Sequence, residues 1–283
     1  MPQQKIIPLP APAKRYYRHG WQSWSLAAWQ DVSQQIPIPK PARLRPMQYD
    51  PRYIRETRPH GSWVGAVEMD NGKTLLLGAL GLGAHVFLDD DKLIGIYEDS
   101  DGEWFVAEGS KQKVFAQYAE ELKKVLLPEK TTQKVSPRVW CSWYSFYTHI
   151  SAQNLSEVLE QLGDLPFDVF QVDDGWQRAI GDWLPNEKFP RGMDAFAAQI
   201  RRSGRAPGIW LAPFIVVPSS DIYRQHPEWV LRDKKGKPVS AGFNWGESLY
   251  VLDLTKFGVL YWLSELMKTV RKWGYDYVKL DFL

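Results

Sequence analysis

Two apolar runs in the second half of the chain end on acids, and stretches of helical periodicity separate runs of this kind. The first is Phe167-Asp168-Val169-Phe170-Gln171-Val172, followed by Asp173-Asp174-Gly175-Trp176; the second is Tyr275-Asp276-Tyr277-Val278-Lys279-Leu280, closed by Asp281. A charge beside a core loses hydration, so acids in such places are costly unless they are paired or used. Residues 139–146 read as a preceding apolar strand. Ser151 then caps a helix with Leu155, Val158, Leu159 and Leu162 at i, i+3, i+4 and i+7, stopped by Gly163. Residues 167–173 read as the second strand, 193–203 as a helix ended by Gly204, and 206–213 as the third strand. A helix over 257–273, with Thr255 near its start, and a strand over 275–282 follow.

Such alternation predicts a parallel sheet. Acids at the strand ends, and no glycine-rich phosphate turn, favour a barrel over a doubly wound sheet. A whole barrel takes ~250 residues, and residues 140 to 283 are little more than half of that. The chain also stops on a strand with no helix to cover it, a poor edge for a buried parallel sheet. The expectation is a fragment holding the first half of a (β/α)8 TIM barrel, strands one to four.

The first half of the chain has another pattern. Strands over 62–69 and 73–80 flank Asp70-Asn71-Gly72, a hairpin-turn signal. Strands over 84–88 and 92–97 flank Asp89-Asp90-Asp91, and 104–107 and 113–118 read as two more. Short strands with turns between them suggest a β-sandwich. The expected organisation is an all-β domain over 1–127, a linker over 128–137 and the partial catalytic barrel over 138–283. Between its third strand and third helix lies a long excursion. An exposed hairpin is expected there around Lys234-Lys235-Gly236 and an extended piece over 249–254. On a barrel's functional face this loop would wall the pocket.

Composition narrows the function classes. A net charge of +2 argues against an electrostatic nucleic-acid binder. The single cysteine, Cys141, excludes an internal disulfide and fits a reducing compartment. The first residues lack a signal-peptide core and no run reaches the ~20 apolar residues of a membrane span, so a cytoplasmic location is expected. The histidines are scattered without metal-ligand spacing, and neither a metal nor a cofactor is expected. Fourteen tryptophans are many for this length. They fit core packing, a site for flat ligands with polar edges such as sugars, or both.

Lys279 and Asp281 are two apart on a strand and face one side, with Leu280 turned to the helix layer. An ammonium beside Asp281 would keep it ionised, which suits a nucleophile, although a structural ion pair reads equally well. Asp173 and Asp174 would point to opposite faces of a regular strand, but Gly175 lets the chain turn so that both can reach one pocket and bind adjacent hydroxyls. The alternative keeps one in the pocket and one capping the next loop. Asp182, in Gly181-Asp182-Trp183, binds a ligand or caps a turn. Cys141 reads as a small buried thiol.

Together, Gly20-Trp21-Gln22-Ser23-Trp24, Trp140-Cys141-Ser142-Trp143-Tyr144, Phe170-Gln171-Val172-Asp173-Asp174, Gly181-Asp182-Trp183, 207–214, 226–230, Leu252-Asp253-Leu254 and 279–283 resemble the α-galactosidases of glycoside hydrolase family 36. The resemblance implies a β-sandwich before the barrel and a retaining reaction on terminal α-galactosides of oligosaccharides. It implies Asp281 as nucleophile, Asp173 and Asp174 on the galactose hydroxyls around positions 4 and 6, and Lys279 as a sugar-binding lysine. Trp143, Tyr144 and Trp210 match pocket residues, Trp24 an aromatic lent by the sandwich, and Asp182 and Trp183 are weaker matches. The family's acid/base aspartate lies beyond the fourth strand, so no residue of this chain is assigned that role, and the isolated chain is expected to be inactive. A transglycosylase or an N-acetylgalactosaminidase of the same fold is the near alternative. A non-catalytic galactoside-binding protein, or a scaffold using exposed tryptophans, is the distant one.

Overall fold

The computed structural model describes residues 3–22, 25–34, 50–98, 101–126 and 135–283. They divide into two compact units, 1–133 and 134–283. Trp24 and residues 128–134 of the expected linker lie outside the described residues; 135–138 carry no regular structure.

The first unit is built from β1 (Gln3–Pro8), β2 (Ala13–Arg18), β3 (Ala28–Asp31), β4 (His60–Ser62), β5 (Val64–Met69), β6 (Thr74–Ala79), β7 (Ala84–Asp89), β8 (Lys92–Tyr97), β9 (Trp104–Gly109) and one helix, α1 (Lys111–Leu126). Two antiparallel sheets form, in the orders β1-β8-β7-β4 and β3-β2-β5-β6-β9. Tyr16, Val67, Met69, Leu75 and Leu77 of one sheet pack against Val86, Leu88 and Leu93 of the other, the alternating inward positions of a sandwich. The opposite face of the five-stranded sheet is covered as well. There Val64, Ala66 and Leu76 meet Val114 and Tyr118 of α1, so β6 is buried on both faces.

That helix corrects the strand expected over 113–118. Lys-Val-Phe-Ala-Gln-Tyr is short and carries the β-branched and aromatic residues of a strand, but Val114 and Tyr118 stand four apart and form the buried stripe of a sixteen-residue helix rich in Ala, Glu, Lys and Leu. The sheet makes room for it. A Cβ at Gly78 would lie 2.4 Å from the Tyr118 ring, and the Tyr118 hydroxyl donates to the Ala79 carbonyl at 2.7 Å.

The second unit contains the parallel sheet β10 (Val139–Cys141), β11 (Val169–Val172), β14 (Ala206–Leu211) and β18 (Tyr277–Leu280), neighbours in sequence order. The helices α2 (Trp143–Phe146), α3 (Ala152–Gln161), α4 (Gly192–Arg202), α5 (Asp221–Gln225) and α6 (Phe257–Trp273) lie in the connections. Antiparallel strands preceding an alternation of parallel strands and helices match the start of a TIM barrel. Phe170, Val172, Ile209 and Leu211 pack with Leu155 and Leu159 of α3, Phe196 and Ile200 of α4, and Leu266 and Val270 of α6. Ser151 and Asn154 form a reciprocal capping box for α3, and Gly274 ends α6 at φ 99°.

Two local expectations change. The first strand is Val139–Cys141, after which Ser142 starts a helical turn, α2, so the chain leaves the sheet three residues in. Leu280 is 41% exposed and not packed under helices. The exposed Lys234–Gly236 hairpin closes without regular strands, through an isolated bridge from Arg232 to Pro238 and the bonds from Asp233 N–H to the Lys237 carbonyl and from Val239 N–H to the Leu231 carbonyl, both at 2.8 Å. Four strands in the connections were not foreseen, and a fifth, Glu247–Val251, falls on the extended piece expected over 249–254. β12 (Gln177–Ala179) pairs with β13 (Asp182–Pro185), and β15 (Ile215–Val216) and β16 (Ser240–Asn244) flank β17 (Glu247–Val251).

Candidate active site

Parallel register aligns Cys141 with Gln171 and Trp210 with Lys279. Aligned residues share a face, and these carry the site at the C-terminal ends of the strands. Asp173, one residue past β11, is 1% exposed. Its Oδ2 accepts from Gln171 Nε2 at 2.5 Å, Lys279 Nζ at 2.9 Å and Cys141 Sγ at 3.2 Å. Its own backbone N–H donates to Ser142 Oγ at 2.9 Å. The helical turn that truncates the first strand therefore supplies an anchor for the acid.

Asp174 is 2% exposed. Its N–H donates to Asp173 Oδ1 at 3.0 Å. Its own oxygens are split: Oδ1 accepts from Gln177 Nε2 at 2.6 Å and Oδ2 from Trp245 Nε1 at 2.7 Å. Burial pushes its carboxyl above the usual range and the Asp173 charge adds to that; the Gln177 and Trp245 bonds oppose it. Gly175, at φ 112°, makes the turn, and a Cβ there would lie 2.5 Å from the Thr148 carbonyl oxygen.

Asp281 extends β18. Its N–H bonds to the Leu211 carbonyl at 2.9 Å, Oδ2 accepts from Trp210 Nε1 at 3.1 Å, and Oδ1 from the Phe282 N–H at 2.9 Å. Lys279 is hydrogen-bonded to Asp173 and not to Asp281, which corrects the pairing read from their spacing. Burial pulls the ammonium's pKa down, but the bond to Asp173 and the charges of Asp173 and Asp281 outweigh it and leave it raised. Burial, then the Asp173 charge, pushes the Cys141 thiol up to about 11, so at neutral pH it is an S–H donor.

The three acids are thus joined by one circuit of contacts. Asp173 meets Asp174 directly; Asp174 holds Trp245; Trp245 packs on Trp210 with ring centroids 6.2 Å apart; Trp210 donates to Asp281. Behind it, Trp176 donates to the Trp210 carbonyl at 3.0 Å, and Trp183 lies between the Trp176 and Trp210 rings at 6.1 and 5.8 Å. Trp183 is therefore a core residue behind the site. The Asp182 carboxylate accepts the N–H groups of Asp221 and Ile222 at the start of α5, at 2.8 to 3.3 Å. Trp143 is half-buried against Tyr147, and Tyr144 is 81% exposed; no hydrogen bond or ring contact among the described residues ties either to the acids.

Sequence reasoning did not single out Ser142, Gln171, Gln177 or Trp245. Ser142 and Gln171 stand inside quoted motifs without having been given a role, and Gln177 follows Asp173-Asp174-Gly175-Trp176 directly. Trp245 reaches the acids from the tip of the β16–β17 hairpin, more than seventy residues from Asp174, with no local pattern to mark it. No group of three or more His, Cys, Asp or Glu suited to a metal occurs among the described residues, and no described helix is long and apolar enough to cross a membrane.

A strand–helix repeat with carboxylates gathered at the strand C-terminal ends matches the start of a TIM barrel, whose binding residues stand at that rim. Residues 104–283 match the Melibiase family profile, and the chain belongs to that family. Its resemblance to the family 36 α-galactosidases is borne out by the relatives. α-Galactosidase AgaA of Geobacillus stearothermophilus is 30% identical over 137 residues, 46% of this chain and 18% of that protein. An Escherichia coli α-galactosidase is 31% identical over 107 residues, 35% of this chain and 15% of that one. Among solved structures, the Thermus thermophilus α-galactosidase TtGalA in complex with p-nitrophenyl α-D-galactopyranoside aligns with a TM-score of 0.89 and 48% identity, over 98% of this chain and 57% of that one. AgaA aligns with a TM-score of 0.67 at 19% identity, over 98% of this chain and 41% of that one, a likeness of fold. The chain therefore spans little more than half of the Thermus protein and less than half of AgaA, and its sequence matches take in less than a fifth of these curated relatives.

Proposed function

We propose that this chain carries the galactose-binding side and the nucleophile of a retaining α-galactosidase acting on terminal α-D-galactosyl groups of oligosaccharides. The circuit joining Asp173, Asp174, Trp210 and Asp281 carries this reading, because it gathers acceptors for paired hydroxyls beside a carboxylate fixed by an indole and a backbone N–H. The Thermus relative has been crystallised with stachyose, a substrate of the class proposed here.

In the reaction, an Asp281 carboxylate oxygen attacks the anomeric carbon. The bond from that carbon to the leaving oxygen breaks, and a second carboxyl acid gives the leaving oxygen its proton. A covalent galactosyl-aspartate results. Water then attacks the same carbon, passes a proton to the second carboxylate and releases Asp281. Retaining enzymes hold the two carboxyls ~5–5.5 Å apart. Asp173 and Asp174 are both tied up by hydrogen-bond donors, so neither is assigned the proton-donor role. Lys279 and Asp173, linked at 2.9 Å, form the rigid polar floor on which hydroxyls are read.

A 2-deoxy-2-fluoro-galactosyl fluoride tests the nucleophile alone, because fluoride leaves with little need of a proton. The expected result is a galactose-protectable mass increase on the peptide containing Asp281, absent from Asp281→Asn. Labelling elsewhere, or none, overturns the assignment. The same chain is expected not to turn over an α-galactosyl oligosaccharide such as stachyose, whose sugar leaving group needs a proton; Asp281-dependent release of galactose would show that a carboxyl of this chain supplies it.

A further inference from the structure

Trp245 occupies a backbone conformation that its side chain disfavours. β16 and β17 pair Asn244 with Glu247, leaving Trp245 and Gly246 as a two-residue turn at φ 50° and 78°. Such a turn needs positive φ at both positions and ordinarily takes Asn and Gly. A bulky residue is disfavoured there, and strain of this kind persists where the surroundings fix it. Here the surroundings are the site itself. The indole N–H donates to Asp174 Oδ2 at 2.7 Å, and the ring lies 6.2 Å from Trp210 and 5.4 Å from Phe282. The hairpin is anchored at the other end of the turn by Glu247, which accepts from the Ser219 N–H and hydroxyl at 3.0 and 2.5 Å.

Asp174 also differs from Asp173 in how its charge is held. Asp173 has the Lys279 ammonium; the side chains on Asp174 are the neutral donors Gln177 and Trp245. A buried carboxylate held by neutral donors depends on each of them. The other titratable groups of the site are Asp173, Cys141, Lys279 and Asp281 on the strands, and Glu247 on the hairpin is already bonded to Ser219. We propose that Trp245 is a positioning residue for Asp174, fixing its carboxylate as a hydroxyl acceptor through the indole N–H while its ring continues the Trp210 wall over the sugar face. The wall for a galactosyl ring rests on the α-galactosidase reading; the hold on Asp174 does not.

Trp245→Phe keeps a ring and removes the donor; Trp245→His keeps a ring donor and tolerates positive φ better. The Asp174 carboxyl carbon is followed by NMR against pH in all three proteins. An upward move of its midpoint in Trp245→Phe, reversed at least in part in Trp245→His, is expected. In the unsubstituted chain, the Trp245 indole N–H resonance is expected to move with the same midpoint, a readout that survives misfolding of either variant. Galactose titrated at neutral pH is expected to bind roughly 10- to 100-fold more weakly to Trp245→Phe, the loss of one hydrogen bond to a charged group. An unchanged Asp174 midpoint in Trp245→Phe, or an indole resonance indifferent to it, overturns the proposal. A shifted midpoint in a chain that binds no galactose upholds the hold on Asp174 and counts against the α-galactoside reading instead.

Discussion

Asp173 and Asp168 bracket the same strand and show what a position does to a carboxylate. Asp168 sits at the N-terminal end, exposed, and accepts the N–H, Nε and Nη2 of Arg138 at 2.7 to 2.9 Å; these bonds hold its carboxyl well below the usual range. It ties two strand starts together in solvent, where such pairs contribute little to stability. Asp173 at the C-terminal end is buried, with three donors on one oxygen. Removing Lys279 strands that charge. Lys279→Met is expected to lower the unfolding free energy by about 2–4 kcal/mol, the cost of leaving a buried carboxylate without its cation, reduced because the lysine side chain keeps 32% exposure. Urea denaturation measures it; a change under about 0.5 kcal/mol, the size of a surface substitution, would mean that the other two donors suffice.

Strand pairing makes a second titratable feature, in the first unit. β4 pairs with β7 so that His60, opposite Phe87, and His85, opposite Ser62, meet diagonally, with Nδ1 of His60 2.8 Å from Nε2 of His85. Tyr53 stacks on His85 at 3.7 Å, and Asp50, Glu56, Arg18, Arg52 and Arg58 supply the charges around the pair. Burial lowers His60 to about 4. Burial, then the charge of His60, lowers His85 to about 2. The unfolded chain binds protons on these histidines near pH 6.5 and the folded one does not until far lower. Their contribution to stability is therefore intact above about pH 6.5 and is lost progressively as pH falls toward 4. The urea midpoint is expected to fall over that window, and the fall to shrink in a His60→Phe, His85→Leu double variant. Equal slopes in both proteins would show that carboxylates alone set the acid limb.

Over the whole molecule, what is legible in the sequence is what local chemistry writes. Ser151 and Gly163 bound α3, Gly274 ends α6, and acids at the ends of apolar runs mark the strand tips, because each depends on neighbours a few residues away. What is not legible depends on distant partners. α1 hides because six residues of it, with Val114, Phe115 and Tyr118, have the composition of a strand until the sheet face it covers is known. Lys279 reads as the partner of Asp281 two residues on, yet the sheet delivers it to Asp173 two strands away. Trp245 has no local mark, since its role exists only once the excursion after β14 folds back over the strand ends. The central proposal is likewise a matter of the assembled sheet: that the carboxylates of Asp173, Asp174 and Asp281 serve one hexose site. A crystal structure of the chain soaked in galactose tests it directly. Galactose hydroxyls on Asp173 and Asp174, with the anomeric carbon facing Asp281, are expected; a sugar bound away from these residues, or three carboxylates turned to separate surroundings, would refute it.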